Sequence, residues 1–323
     1  MKAKKLFFLI IPCFLISAAA SASDFTFEFM PYAGITCGQF NEYIYSGADS
    51  SILRSLLEWE AKPLINLGAG TKIGWKKLSL ETCGEFTPCM PCGTLKDSDW
   101  NEDGDVKYIY SLLEERVSET FSFSSMLSYD FDFEESFYVA PALIFDYSHI
   151  KIKGTNGEGW FASASYSSTG NDEAWNSGYA RYYGKGKLHG INYERTSYSF
   201  FSGLKVGARF SRRFSSELGF FISPITSISA FDTHLTGKNT QNYHLNEYAK
   251  SMFSAYKLYL RTEYDLSKLL ALSLSADFSG TDIIKRYMYH NYHTSSPVKS
   301  NQKMGASSFS FAARLGIKIK IIH

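Results

Sequence analysis

Beyond its first two dozen residues the sequence lacks any uncharged apolar run near the roughly 20 residues that a helix needs to cross a bilayer, so a membrane-spanning form of this chain must use strands. It also lacks a charge imbalance. The 33 basic residues against 32 acidic ones leave a net charge of +1, which excludes the strongly basic surface of a nucleic-acid-binding protein. Proline is scarce, at 8 residues, and few cysteines remain once Cys13, inside the N-terminal apolar stretch, is set aside. What the chain has in quantity is aromatic and small: 26 Phe, 22 Tyr and 24 Gly. Such a composition suits the aromatic girdles and close strand contacts of a membrane barrel, and equally a secreted β-sandwich.

The N-terminus supplies context. Lys2, Lys4 and Lys5 precede an apolar stretch from Leu6 to Ile16, and Ala20-Ser21-Ala22 has the small-x-small pattern of a signal-peptidase site. The apolar core is about half the length of a spanning helix. Residues 1–22 are therefore expected to be a signal peptide and residues 23–323 a single barrel domain. Export leads to an oxidising compartment, where Cys37, Cys83, Cys89 and Cys92 permit two disulfides whose pairing the sequence leaves open. Cys89-Met90-Pro91-Cys92 has the spacing of a redox or zinc pair. With Pro88 and Pro91 marking a loop and no His close by, a loop-stapling disulfide is the plainer expectation.

Period-two patterning fixes the fold class. Phe309, Phe311, Ala313, Leu315, Ile317, Ile319 and Ile321 fall on one face of an extended segment, and Ser310, Arg314, Gly316, Lys318 and Lys320 on the other. The same split recurs at Leu270 to Phe278, at Tyr256 to Tyr264 and at Leu204 to Phe210. One face suits lipid and the other a polar lumen, which predicts an all-β, closed antiparallel transmembrane β-barrel of about ten strands. Short connections at Phe214-Ser215-Ser216 and Asp265-Leu266-Ser267 alternate with long polar stretches at 154–190, 235–250 and 280–304, read as extended extracellular loops.

Two short patterns carry chemistry: Asp97-Ser98-Asp99-Trp100 and Asp232-Thr233-His234. Residues i and i+2 of an extended backbone share a face, so each pair can point into one cleft. A His oriented by a carboxylate is a general base poised near neutral pH. Two adjacent carboxyls cannot both stay ionised cheaply, so one of Asp97 and Asp99 is expected to keep a proton and to polarise a carbonyl or hold a water. Either pair alone is more often a solvated turn than a site.

Both pairs sit in segments that resemble the omptin family of outer-membrane proteases. Asn66-Leu67-Gly68-Ala69-Gly70 through Gly74-Trp75 leads to the first pair, and Glu217-Leu218-Gly219-Phe220 leads through Ser229-Ala230-Phe231 to the second. Leu57-Glu58-Trp59 resembles the family's Leu-Asp-Trp, and 311–317 its closing strand. The resemblance implies an aspartic-type endopeptidase in the cell outer membrane, with its site in an extracellular groove. Asp97, Asp99, Asp232 and His234 then match the catalytic groups, water is the nucleophile, and neither metal nor cofactor takes part. Glu42 matches the acid that binds a basic side chain of the substrate. The second acid of that pocket falls at Ala230, a departure that predicts a weaker or shifted preference for basic residues, to be sharpened by Ala230→Asp.

The resemblance also implies peptide or protein substrates at the cell surface, a monomer, and dependence on lipopolysaccharide or another outer-leaflet glycolipid. The corresponding strand contains Tyr193-Glu194-Arg195, where a slip of one residue flips Arg195 between exterior and lumen. The rival from another class is an inactive barrel serving as an adhesin or structural protein.

Overall fold

The computed structural model describes residues 25–46, 51–134, 136–162, 173–235, 241–292 and 298–322. The expected signal peptide, 1–22, lies outside the described residues. Alternation of apolar and polar side chains produces strands over nearly all of the rest: β1 (Phe25–Ser46), β2 (Ile52–Trp75), β3 (Leu78–Phe86), β4 (Met90–Trp100), β5 (Lys107–Tyr129), β6 (Phe131–Glu134), β7 (Phe137–Phe161), β8 (Arg181–Leu188), β9 (Ile191–Arg209), β10 (Phe214–Leu235), β11 (Gln241–Ser251), β12 (Ala255–Asp265), β13 (Leu270–Tyr292) and β14 (Val298–Ile322).

Four walls of the ring are each broken once, at β3/β4, β5/β6, β8/β9 and β11/β12, where two consecutive strands pair with the same neighbour. The fourteen strands thus form ten walls, each antiparallel to the next, and β1 pairs with β14 from Thr26↔Ile322 to Tyr45↔Lys303 to close the ring. This is the closed up-and-down barrel that the alternation predicts, and closure leaves no unpaired edge.

Tight turns lie at one end. Lys76 adopts a left-handed φ of 54° between β2 and β3, and Phe210 N–H donates to Phe214 O at 3.0 Å between β9 and β10. The connection expected at Phe214-Ser215-Ser216 is therefore Phe210–Arg213, and Phe214 already opens β10; the contact of the tilted Phe210 and Phe214 rings at 5.7 Å explains why an apolar pair brackets the turn. At the other end the correction is larger. Most of 235–250 and 280–304, and the flanks of 154–190, are strand rather than loop. The hydrogen-bond ladder continues there while the apolar-polar alternation that betrays a strand fades.

The outer surface explains the fading. Ile35, Ile65, Leu127, Leu143, Phe200, Leu218, Leu258, Leu274, Phe311 and Leu315 are all exposed and form a belt around the lower barrel. On β10 this face ends at Ile225, seven residues or about 20 Å of strand below Asp232. Above the belt neither face has to be apolar.

Inside, the lumen is filled. Trp59 of β2 and Tyr193 of β9, from opposite walls, stack at 5.0 Å and 15°, both buried. Low in the barrel Phe221 stacks on Tyr259 at 5.9 Å, and the Tyr259 hydroxyl donates to Glu217 Oε1 at 2.5 Å. Such rings lie flat against strand glycines: a Cβ at Gly207 would come within 2.2 Å of the Tyr138 ring. Between the two levels lies a cavity of about 390 Å³, lined in part by Thr36, Asn66, Thr120, Ser199 and Ser310.

Candidate active site

Strand alternation in β10 turns Ala230, Asp232 and His234 inward, and in β4 it turns Asp97 and Asp99 inward. Register brings the rest to the same height. Glu42 of β1 lies opposite Leu57 of β2, Leu57 opposite Asp97 of β4, and Asp97 opposite Ser111 of β5. Asp232 sits on the facing wall, opposite Tyr193 of β9. Sequence positions more than a hundred residues apart thus converge on one groove, above the apolar belt.

The His234 Nε2 atom is 2.6 Å from Asp232 Oδ2; the Asp232 side chain is buried and the imidazole is partly open to the groove. Burial alone pushes the imidazole pKa down, but Asp232, then Asp97 and Asp99, lift it to about 9. Asp97 receives the Ser111 hydroxyl hydrogen on Oδ2 at 3.3 Å. Its burial, then the charge of Asp99, with a smaller push from Asp232, outweigh the opposing pull of His234 and Ser111, and its pKa rises to about 7. The four residues picked from sequence therefore form one electrostatic unit, in which each carboxyl feels the imidazole.

Glu42 also joins this unit, though not at the surface of the groove. It has no exposed area, and its carboxyl meets that of Asp232. Beneath it runs Arg195, which sequence left on an undecided face. Arg195 points into the lumen, is 4% exposed, and reaches from β9 across to β14, donating to Ser307 O at 2.7 Å and Ser308 Oγ at 3.1 Å. Its guanidinium lies over the Phe40 ring at 5.4 Å. Arg195 cannot be an exterior lipid-binding residue. In register it flanks Ala230, where the resemblance leads one to expect a second acid.

Reasoning from sequence missed Arg195, Tyr193 and Ser111 as parts of the site. Only register could have found Arg195, because its inward direction depends on the pairing of β9 with β7 and β10.

Among solved structures the chain is similar to the outer-membrane protease OmpT from Escherichia coli, with a TM-score of 0.78 at 14% identity, over 92% of this chain and 97% of that one. The translocator domain of the autotransporter NalP from Neisseria meningitidis also aligns, with a TM-score of 0.38 and 7% identity over 98% and 96% of the two chains. No protein-family model and no curated protein sequence matches. At 14% identity the likeness to OmpT shows a shared barrel fold.

The expected disulfides do not form: Cys37, Cys83, Cys89 and Cys92 are free thiols. Cys89 lies in the bend that precedes β4, while Cys92 is within the strand. Cys92 is buried in the upper core, while Cys89 is exposed, its sulfur 3.6 Å from an Arg116 Nη1 donor.

Proposed function

We propose that this protein is an outer-membrane endopeptidase of the omptin type, which hydrolyses peptide bonds with water as the nucleophile and no acyl-enzyme. The observation that carries the proposal is the arrangement of the Asp232–His234 pair on one wall of the groove against Asp97 and Asp99 on the other, all four above the apolar belt. A peptide lying in that groove puts its carbonyl and a water between the walls. With Nε2 turned to Asp232, Nδ1 is the imidazole nitrogen left to exchange a proton. Asp232 stabilises the imidazolium as it forms. In the tautomer with neutral His234, the proton on Asp97 can be donated to the carbonyl oxygen as it becomes an oxyanion.

The two ionisations bracket a window. Between about pH 7 and about pH 9 the resting pair is Asp97 carboxylate with His234 imidazolium. Its proton tautomer, neutral His234 with protonated Asp97, is a constant fraction of the same population and rises and falls over the same window. Water activation by neutral His234 therefore follows a bell-shaped rate profile with those limbs.

The apolar belt and the one-sided short turns support an outer-membrane location with the groove facing the exterior. Surface peptides or proteins are the substrates, acted on by a monomer. An outer-leaflet glycolipid such as lipopolysaccharide is the proposed activating lipid. Just above the belt the outer wall offers Lys151, 3.2 Å from Glu119 and 3.6 Å from Glu194, and beside them His149.

The test is to refold the mature chain in detergent with and without lipopolysaccharide and offer a quenched peptide library. His234→Ala and Asp99→Asn should each lower kcat by about 10²–10⁴-fold. Cleavage that survives both substitutions sinks the mechanism. No cleavage in any condition favours the inactive barrel.

A further inference from the structure

The corner where Glu42 meets Asp232 has a proton to account for. Both side chains are fully enclosed. The Glu42 carboxyl faces that of Asp232, and two carboxyls enclosed side by side are held together only if one of them carries a hydrogen. Among the described residues no N–H or O–H reaches either oxygen of Glu42. Asp232, by contrast, already faces the imidazole of His234. The proton therefore belongs on Glu42, which has nothing else to balance its charge at hydrogen-bond distance.

Resting on the peptidase reading, we propose that Glu42 is a positioning residue: a neutral carboxylic acid that donates a hydrogen bond to Asp232 and fixes the carboxylate against which His234 works, rather than an anion that receives a basic side chain of the substrate. Its position agrees. Leu57 and Ala306, which flank it in register on β2 and β14, are buried and apolar, and Ala230 offers no second acid. The guanidinium beside it, that of Arg195, is spent on Ser307 and Ser308. Burial first, then Asp232 and Asp97, hold the Glu42 carboxyl well above the usual carboxylate range, and Arg195 only partly opposes them. A lysine or arginine of the substrate thus finds neither open surface nor negative charge at Glu42. Selection of the scissile bond should tolerate neutral residues at the position that this corner faces.

Glu42→Gln and Glu42→Ala in the full mature chain separate the two roles, with heat-modifiable migration on gels as the check of folding. A neutral donor of the same length keeps the hydrogen bond, so Glu42→Gln should hold kcat within about threefold, with the same pH limbs and the same ratio of Arg-Arg to Ala-Ala peptide cleavage. Glu42→Ala should lose about 10–100-fold in kcat at unchanged KM, the usual cost of removing an orienting partner. If Gln behaves like Ala, and the loss falls on KM for basic peptides alone, Glu42 is a substrate-binding anion and the proposal is wrong. Infrared spectra decide the point without any catalysis: the wild-type spectrum minus that of Glu42→Gln at the same pH should show one protonated-carboxyl stretch, since the acids common to both proteins cancel. A difference spectrum without that band overturns the assignment even if peptides are cleaved. Presence of the band in a protein that cleaves nothing leaves the assignment standing and rejects only the peptidase reading.

Discussion

The lower and upper halves of the lumen handle charge in opposite ways. Low in the barrel acids and cations interleave: Arg314 lies 2.8 Å from Glu85 and 2.5 Å from Asp277, Lys205 lies 3.2 Å from Glu217, and Arg261 lies 2.7 Å from Glu81. In the upper lumen Glu42, Asp97, Asp99 and Asp232 share His234 and Arg195. A matched network fixes its own ionisation and holds walls together. An excess of acid has to be balanced by protons, and protons held that way move near neutral pH. The lower half is built to stay as it is and the upper half to exchange protons, although both hang from the same strands.

Substitutions can break that contrast, beginning with the largest effect. Asp232→Asn keeps the shape of the site but loses the charge that holds the imidazolium, so kcat should fall on the order of 10³–10⁴-fold with little change in melting temperature. Trp59→Ala removes half of the stack that closes the lumen. It should cost about 3–5 kcal/mol in detergent unfolding and open an ion conductance in planar bilayers that the wild type lacks. A wild type that conducts as well as the variant would refute the closed floor.

Arg314→Met, in the lower network, leaves Glu85 and Asp277 without their shared cation. A fully buried pair broken in this way costs about 3–5 kcal/mol, and the partial exposure of all three side chains should reduce that to about 2–3 kcal/mol. The kcat of the folded protein should not change, because these charges are structural.

The pH profile sharpens the comparison at smaller amplitude. Asp97 loses its proton through about pH 7 and His234 through about pH 9, so kcat/KM should climb about tenfold per unit below the first limb and fall about tenfold per unit above the second. A profile flat from pH 6 to 10 would remove both groups from the rate-limiting step. The smallest effect is expected from Ala230→Asp. Sequence alone predicts sharper selection of basic residues, but the new carboxylate would lie beside Arg195 and pair with it. The ratio of Arg-Arg to Ala-Ala cleavage should therefore change by less than about threefold, within the range of one weak ion pair.

Legibility followed the solvent. In β12 and the lower parts of β9, β13 and β14 the lipid-facing residues alternate with lumen-facing ones, and the strands could be read directly. Above the belt water wets one face, so β11 and the upper parts of β13 and β14 were taken for loop. The site was half legible. Asp97 with Asp99, and Asp232 with His234, are close in sequence and declared themselves by spacing, while Glu42 could be placed only through a resemblance. Arg195 and Tyr193 reach the site from another wall and left no local trace.

The sequence by itself determined that the chain crosses with strands, that the ring closes with polar residues inside, and which two short segments bring their ionisable side chains to one face, because a period of two and an i, i+2 spacing are local properties of an extended backbone. Only the tertiary structure decided that Asp97 and His234 face one another, that Arg195 runs through the lumen, and that Glu42 is sealed against Asp232. Those facts depend on the register between walls, and a slip of one residue, invisible in any single strand, would turn every one of these side chains to the opposite face.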